Sequence, residues 1–157
     1  MGGTAFDEIF QIAGARYAVP AWLLEAVART ESNLNPAAIG DGGQSVGLFQ
    51  MFEPTARRYG VTDMRNLLDP AYAADRAAAY IADIIRGQGG LVLENFYSEY
   101  NSGRALLWQT STEVFAHVQR FLRNVDVADL EPAAVGAGAG LVFAAGLALW
   151  VFLRRKR

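Results

Sequence analysis

The sequence contains no cysteine and a single histidine, His117. Disulfide frameworks, thiolate zinc sites, cysteine nucleophiles and multi-histidine metal sites are thereby excluded. The polar chemistry falls to carboxylates, hydroxyls and amides, and neither a metal nor a cofactor is expected. Excess charge of one sign is also missing: 14 Lys and Arg stand against 16 Asp and Glu, for a formal net charge of -2. Nucleic acid would need a local basic patch, and none stands out, so it is not an expected partner. Strand-like alternation is nearly absent, which leaves a mostly α fold. Met1 to Phe10 include Asp7 and Glu8 and lack a basic region followed by an apolar run, so they do not read as a secretory signal.

What is present is unevenly distributed. The chain has 157 residues, 52% of them hydrophobic and 19% charged, and the apolar excess gathers near the C-terminus. The length suits one compact domain with one extra element. The expected division is a domain over residues 1–125, a linker over 126–132, an apolar helix over 133–153 and a basic tail over 154–157. Residues 133–153, which open on Ala133 and close on Leu153, carry no charge. Since about 20 apolar residues cross a bilayer, a transmembrane helix is expected there. A buried core helix would have to hide every face inside a small domain. Arg154, Arg155, Lys156 and Arg157 predict a cytoplasmic C-terminus with the domain on the other side, and Trp150 and Phe152 suit the headgroup level. Gly136 and Gly140 form a small-xxx-small pair through which two such helices would associate.

Helical spacing recurs along the first 125 residues. Phe6, Ile9, Phe10, Ala13 and Tyr17 share one face, with Thr4 placed to cap the first turn. Pro20 opens a second helix through Trp22, Leu23, Ala26, Val27 and Thr30, ending near Glu31 and Ser32. Residues 33–50 are dense in Gly, Asn, Asp and Pro, which predicts a shaped loop without a regular element. Asp69 and Pro70 start a long helix closed by the glycines around Gly87. A shorter helix spans 91–100, and Thr110 with Glu113 fits a capping box that opens a helix over 114–123.

Three segments carry the chemistry: Glu31-Ser32 at a helix end, Gly47-Leu48-Phe49-Gln50-Met51 after the glycine-rich loop, and Tyr100-Asn101-Ser102-Gly103 after a later helix. With Pro54-Thr55-Ala56 downstream, their order and spacing resemble the soluble lytic transglycosylase family of the lysozyme-like superfamily, over residues 6–123. The resemblance implies a lysozyme-like helical domain ahead of the single C-terminal transmembrane helix. Its partner would be the glycan strands of peptidoglycan. Glu31 would be the catalytic acid and base. Tyr100 would orient its carboxyl, while Gln50 and Asn101 would hold substrate amides or hydroxyls. Ser32 and Ser45 would stand along the substrate, Ser32 also as a buttress of the helix end, and Phe49 and Met51 would line the groove along the substrate or the core. Gly47 and Gly103 would permit close backbone approach.

The residues themselves are consistent with that role. Glu31 follows an apolar helix face, and burial there would disfavour the charged carboxylate and leave a proton for a glycosidic oxygen. In the family, the muramic acid 6-hydroxyl then attacks the anomeric carbon, so a second carboxylate is unnecessary. Two departures leave the outcome open. Many relatives carry a serine nine residues after the glutamate, where this chain has Gly40, and Ser45 is the nearby hydroxyl. The segment Gly40-Asp41-Gly42-Gly43-Gln44-Ser45 also resembles goose-type lysozymes, in which an Asp helps water hydrolyse the same bond. Asp41 would then make the chain a muramidase. A binding protein without catalysis is the third reading. The setting is either a phage virion that opens the wall locally or cell-envelope machinery.

Overall fold

Six α-helices and three very short strands make up the regular structure of residues 4–126, the part of the chain that the computed structural model describes. In order they are α1 (Asp7–Tyr17), α2 (Ala21–Ser32), β1 (Ile39–Gly40), β2 (Ser45–Val46), β3 (Met51–Phe52), α3 (Glu53–Arg58), α4 (Pro70–Gly87), α5 (Leu93–Ser102) and α6 (Thr112–Arg123). Single turns of 3-10 helix occupy Asp41–Gly43, Met64–Leu68 and Leu107–Gln109. The mostly helical expectation holds. The helix expected at 133–153, with Gly136, Gly140 and the basic tail, lies outside the described residues. Among the described residues no helix is long and apolar enough to cross a membrane. The fold divides into two compact units, one ending at Asp83 and one beginning at Ile84.

In the first unit, the N-cap of α1 is Phe6, which makes no side-chain cap bond, so Thr4 braces the helix start instead of capping its first turn as expected. Thr4 donates to Asp7 Oδ1 from its backbone N at 2.7 Å and from Oγ1 at 2.5 Å, and accepts the Phe6 N–H. These bonds hold the Asp7 carboxyl below the usual carboxylate range. α2 follows directly on Pro20, where a missing N–H leaves no intrahelical partner wanting. The two helices bury Phe10, Ala13, Leu23, Leu24 and Val27. The Phe10 ring meets Phe49 edge-on, with centroids 5.9 Å apart. Asp75 of α4 pins the end of α1: Arg16 Nη1 donates to it at 2.7 Å and the Tyr17 hydroxyl at 3.2 Å, and Arg76 pairs with it as well.

The region expected to hold no regular element instead folds into a three-stranded antiparallel sheet in the order β1-β2-β3. Ile39 pairs with Val46 and Gly40 with Ser45; Ser45 then pairs with Phe52 and Val46 with Met51. Glycines cause the hairpin rather than forbid it. Asp41, Gly42 and Gly43 all take positive φ, and together they turn β1 into β2. Strands of two residues are too short to display alternation. α3 and the turn at Met64–Leu68 were not foreseen either.

In the second unit, α5 and α6 pack through aromatic rings. Tyr97 and Phe121 stack with centroids 4.4 Å apart and planes 1° from parallel, and Phe96 lies 5.8 Å from Phe121. The cap of α6 falls one residue later than the expected capping box. Ser111 is the N-cap and accepts the Val114 N–H at 3.3 Å. Glu113 consequently sits a turn position too early to reach back. Thr110 Oγ1 instead donates to Leu107 O.

Candidate active site

Glu31 is the penultimate residue of α2 and is half-buried. The helix behind it is anchored in the core by Leu24, Val27 and Ala28, each fully enclosed. Thr30 donates back to Ala26 O at 2.7 Å. Beyond Ser32 the chain reverses sharply, because Asn33 and Leu34 both adopt left-handed backbone, with φ of 54° and 61°. Their N–H groups close onto the last carbonyls of the helix, including that of Ala28. A carboxyl placed here stands at a rigid helix end rather than on a loop.

Ser32 fastens that end to the Gly47–Met51 segment. Its hydroxyl shares its proton between the carbonyls of Leu48, at 2.8 Å, and Ala28, at 3.1 Å, and accepts the Asn35 N–H at 3.2 Å. These bonds make Ser32 a buttress of the helix end, as expected. Gly47, at φ 80°, is the other half of the joint: an added Cβ would stand 2.1 Å from Leu67 O. Close backbone approach, expected of both Gly47 and Gly103, is met at Gly47 alone. Gly103 has open space around its Cβ position and serves as the left-handed C-cap of α5, at φ 74°.

The remaining residues sort by position. Phe49 is wholly enclosed against Phe10, so of the two places expected for it, groove or core, it takes the core. Ser45 is 4% exposed and donates to Asp41 Oδ2 at 2.5 Å, while Asp41 itself is exposed. The Asp41 side chain thus bonds a hydroxyl rather than its own turn. Gln50, half-buried at φ 42°, donates from Nε2 to Ala38 O at 3.1 Å and to Gly47 O at 2.9 Å. Tyr100 and Asn101 occupy the last turn of α5 in the second unit. The Tyr100 ring lies 6.1 Å from those of Phe96 and Tyr97. Asn101 is exposed, and its Nδ2 is 3.5 Å from His117 Nδ1.

Phe52 escaped the sequence reading. It is 44% exposed and pairs in register with Ser45 across the strands, so part of its ring stands as an apolar surface in solvent. A two-residue strand carries no periodicity from which to find it. Among the described residues no cluster of His, Cys, Asp and Glu could hold a metal ion.

Residues 8–119 match the transglycosylase SLT domain family. Among solved structures, the chain is similar to an inactive glutamate-to-glutamine mutant of lytic transglycosylase Slt from Pseudomonas aeruginosa. The identity is 18% and the TM-score 0.68, over 87% of this chain and 26% of that one. It is also similar to the 70 kDa soluble lytic transglycosylase from Escherichia coli, at 21% identity and a TM-score of 0.70, over 87% of this chain and 27% of that one. The chain thus spans about a quarter of the length of each, and at such identities the likeness shows a shared fold. No curated protein matches the chain.

Proposed function

Because the chain belongs to the transglycosylase SLT domain family through residues 8–119, we propose that it is a peptidoglycan lytic transglycosylase with Glu31 as its acid and base. It cleaves the β-1,4 bond between N-acetylmuramic acid and N-acetylglucosamine. The observation that carries the reading is the joint at the end of α2, where Ser32 Oγ bonds Leu48 O and so holds Glu31 at a fixed place beside the Gly47–Met51 segment. The two solved relatives are lytic transglycosylases, and one is inactive with glutamine in place of a glutamate.

In the proposed reaction, the Glu31 carboxyl gives its proton to the bridging oxygen as the bond from that oxygen to the anomeric carbon breaks. The muramic acid 6-hydroxyl oxygen bonds the same carbon, closing a 1,6-anhydro ring, and its proton passes back to Glu31. No water is consumed and the carboxyl ends as it began. Gln50 holds the sugar's amide or hydroxyl groups, and Tyr100 and Asn101 keep the support and substrate roles that their family-like segment implies.

A second carboxylate favours the alternative of a muramidase. Asp41 is exposed and braced by Ser45, and a base activating water for inversion stands roughly 6.5–9.5 Å from the acid. Mass spectrometry of digested peptidoglycan separates the two chemistries. Anhydro-muramic ends are expected; reducing ends overturn the transglycosylase reading in favour of hydrolysis, and undigested wall favours a binding protein.

We also propose that residues 133–153 anchor the domain in a membrane facing peptidoglycan, with Arg154, Arg155, Lys156 and Arg157 on the cytoplasmic side. Extraction of the full chain by alkaline carbonate would remove the anchor. Pairing of such helices through Gly136 and Gly140 fails if crosslinking in detergent yields only monomer. The setting proposed first is local wall opening by a phage virion. Absence of the chain from purified virions would leave cell-envelope machinery as the setting.

A further inference from the structure

Nothing in the backbone of Gly40 calls for glycine. Its φ of -119° and ψ of 175° belong to ordinary extended chain, which any residue adopts. What glycine supplies there is room. A Cβ at this position would lie 2.5 Å from Gln50 Oε1, with Ser45 Cβ next at 3.7 Å. A terminal amide usually swings away from such an intrusion at little cost. This one is tied down, because Nε2 uses both of its N–H bonds on the Ala38 and Gly47 carbonyls, at 3.1 and 2.9 Å. The Gln50 backbone is itself held at φ 42°, a conformation kept only where the surroundings enforce it.

The two carbonyls also fix which end of the amide is which, since Oε1 has no hydrogen to offer either of them. Oε1 is therefore a stationary acceptor held over Gly40, and among the described residues no donor bonds it. Gln50 is only half-buried, so a ligand donor has access where a protein donor is missing.

The geometry points to Gly40 and Gln50 acting as one device, in which the missing side chain at 40 lets Gln50 Oε1 accept a hydrogen bond from a glycan donor, an acetamido N–H or a sugar hydroxyl. Gly40 is a positioning residue, acting through the amide. The inference rests on the glycan-cutting reading above and adds the residue that sets the acceptor in place.

The test titrates soluble N-acetylglucosamine oligomers into the parent chain, Gly40→Ala, Gln50→Ala and the double variant, and follows exchange of the Gln50 side-chain amide protons by NMR. Gly40→Ala is expected to weaken binding roughly three- to tenfold, the effect of one neutral hydrogen bond, and to speed exchange of the Gln50 amide protons. The double variant is expected to bind no more weakly than Gln50→Ala alone, since the added methyl then meets no amide. Losses that multiply, or a Gly40→Ala that binds like the parent with its amide still protected, overturn the device and leave the functional reading standing. A parent that neither binds the oligomers nor cuts peptidoglycan overturns both. Should Gly40→Ala fold poorly, recovery of stability in the double variant supports the device, and no recovery overturns it.

Discussion

The stretch from Glu31 to Phe52 and the pair formed by α5 and α6 are held in shape by different forces. In the first, four non-glycine residues, Asn33, Leu34, Asp41 and Gln50, take positive φ. Side chains there bond backbone across the loop, Ser32 to Leu48 and Gln50 to both Ala38 and Gly47. In the second, the turn after α5 uses a glycine for its positive φ, and the interior is a stack of rings built on Tyr97, Phe96 and Phe121. Left-handed backbone costs a non-glycine residue on the order of 1 kcal/mol or more. Four instances within one short stretch therefore oppose stability, and the polar clamps offset them. Strain that persists under such bracing is the usual mark of a segment shaped for a ligand, whereas α5 and α6 show what the chain does where packing alone decides.

The contrast implies that the first region can lose its function without losing its fold. Glu31→Gln keeps the shape of the side chain and removes the proton donor. It is expected to lower release of soluble fragments from purified peptidoglycan by roughly 10²- to 10⁴-fold, the range for a lost acid–base group, with the thermal midpoint close to the parent's. A variant that digests walls at the parent rate would end the proposal for Glu31. The second region should behave in the opposite way. Phe121→Ala removes the ring that stacks on Tyr97 and is expected to cost about 3–5 kcal/mol, as for other buried aromatic truncations. A denaturant midpoint unchanged by that substitution would break the claim that ring packing holds α5 to α6.

The same contrast explains what could be read in advance. Helix boundaries carry local signals, so Pro20 before α2, and Asp69 whose Oδ1 accepts the Tyr72 N–H at the start of α4, marked their elements correctly. The family was legible in the order and spacing of the segments around Glu31, Gly47 and Tyr100, which lie within the matched residues. The strands were not, because two residues cannot alternate and their pairing depends on the path of the loop. Phe49 and Phe52 differ by three positions and look equivalent as letters, yet one is enclosed and the other 44% exposed. The room that Gly40 leaves for the Gln50 amide is equally invisible, since it joins residues whose approach is set by backbone bonds and not by any motif. At α6, Thr110 and Ser111 are both good caps in isolation, and only the path out of the turn at Leu107–Gln109 decides for Ser111.

Solvent exposure sharpens the comparison at its weak end. Asp63 caps the turn at Met64–Leu68, accepting the Arg65 N–H at 2.9 Å and pairing with the Arg65 guanidinium at 2.7 Å. The bond from the Arg65 side chain, and then that from its backbone, hold the Asp63 carboxyl down to about 2 against an ordinary value of 3.8. A carboxyl whose pKa is lower in the folded chain binds fewer protons there than in the unfolded one. Its contribution to stability is thus fully present above about pH 4 and disappears as the pH falls toward 2. The pair's side chains are 40% and 84% exposed, so water screens the charge and the contribution is small. Asp63→Asn keeps an oxygen for the cap and deletes the charge. It should lower the thermal midpoint slightly at neutral pH, with the gap from the parent closing between pH 4 and pH 2. A gap constant across that range would assign the loss to the cap's geometry rather than its charge. A gap as large as that of Phe121→Ala would mean that exposed polar ties carry as much of this fold as its rings do.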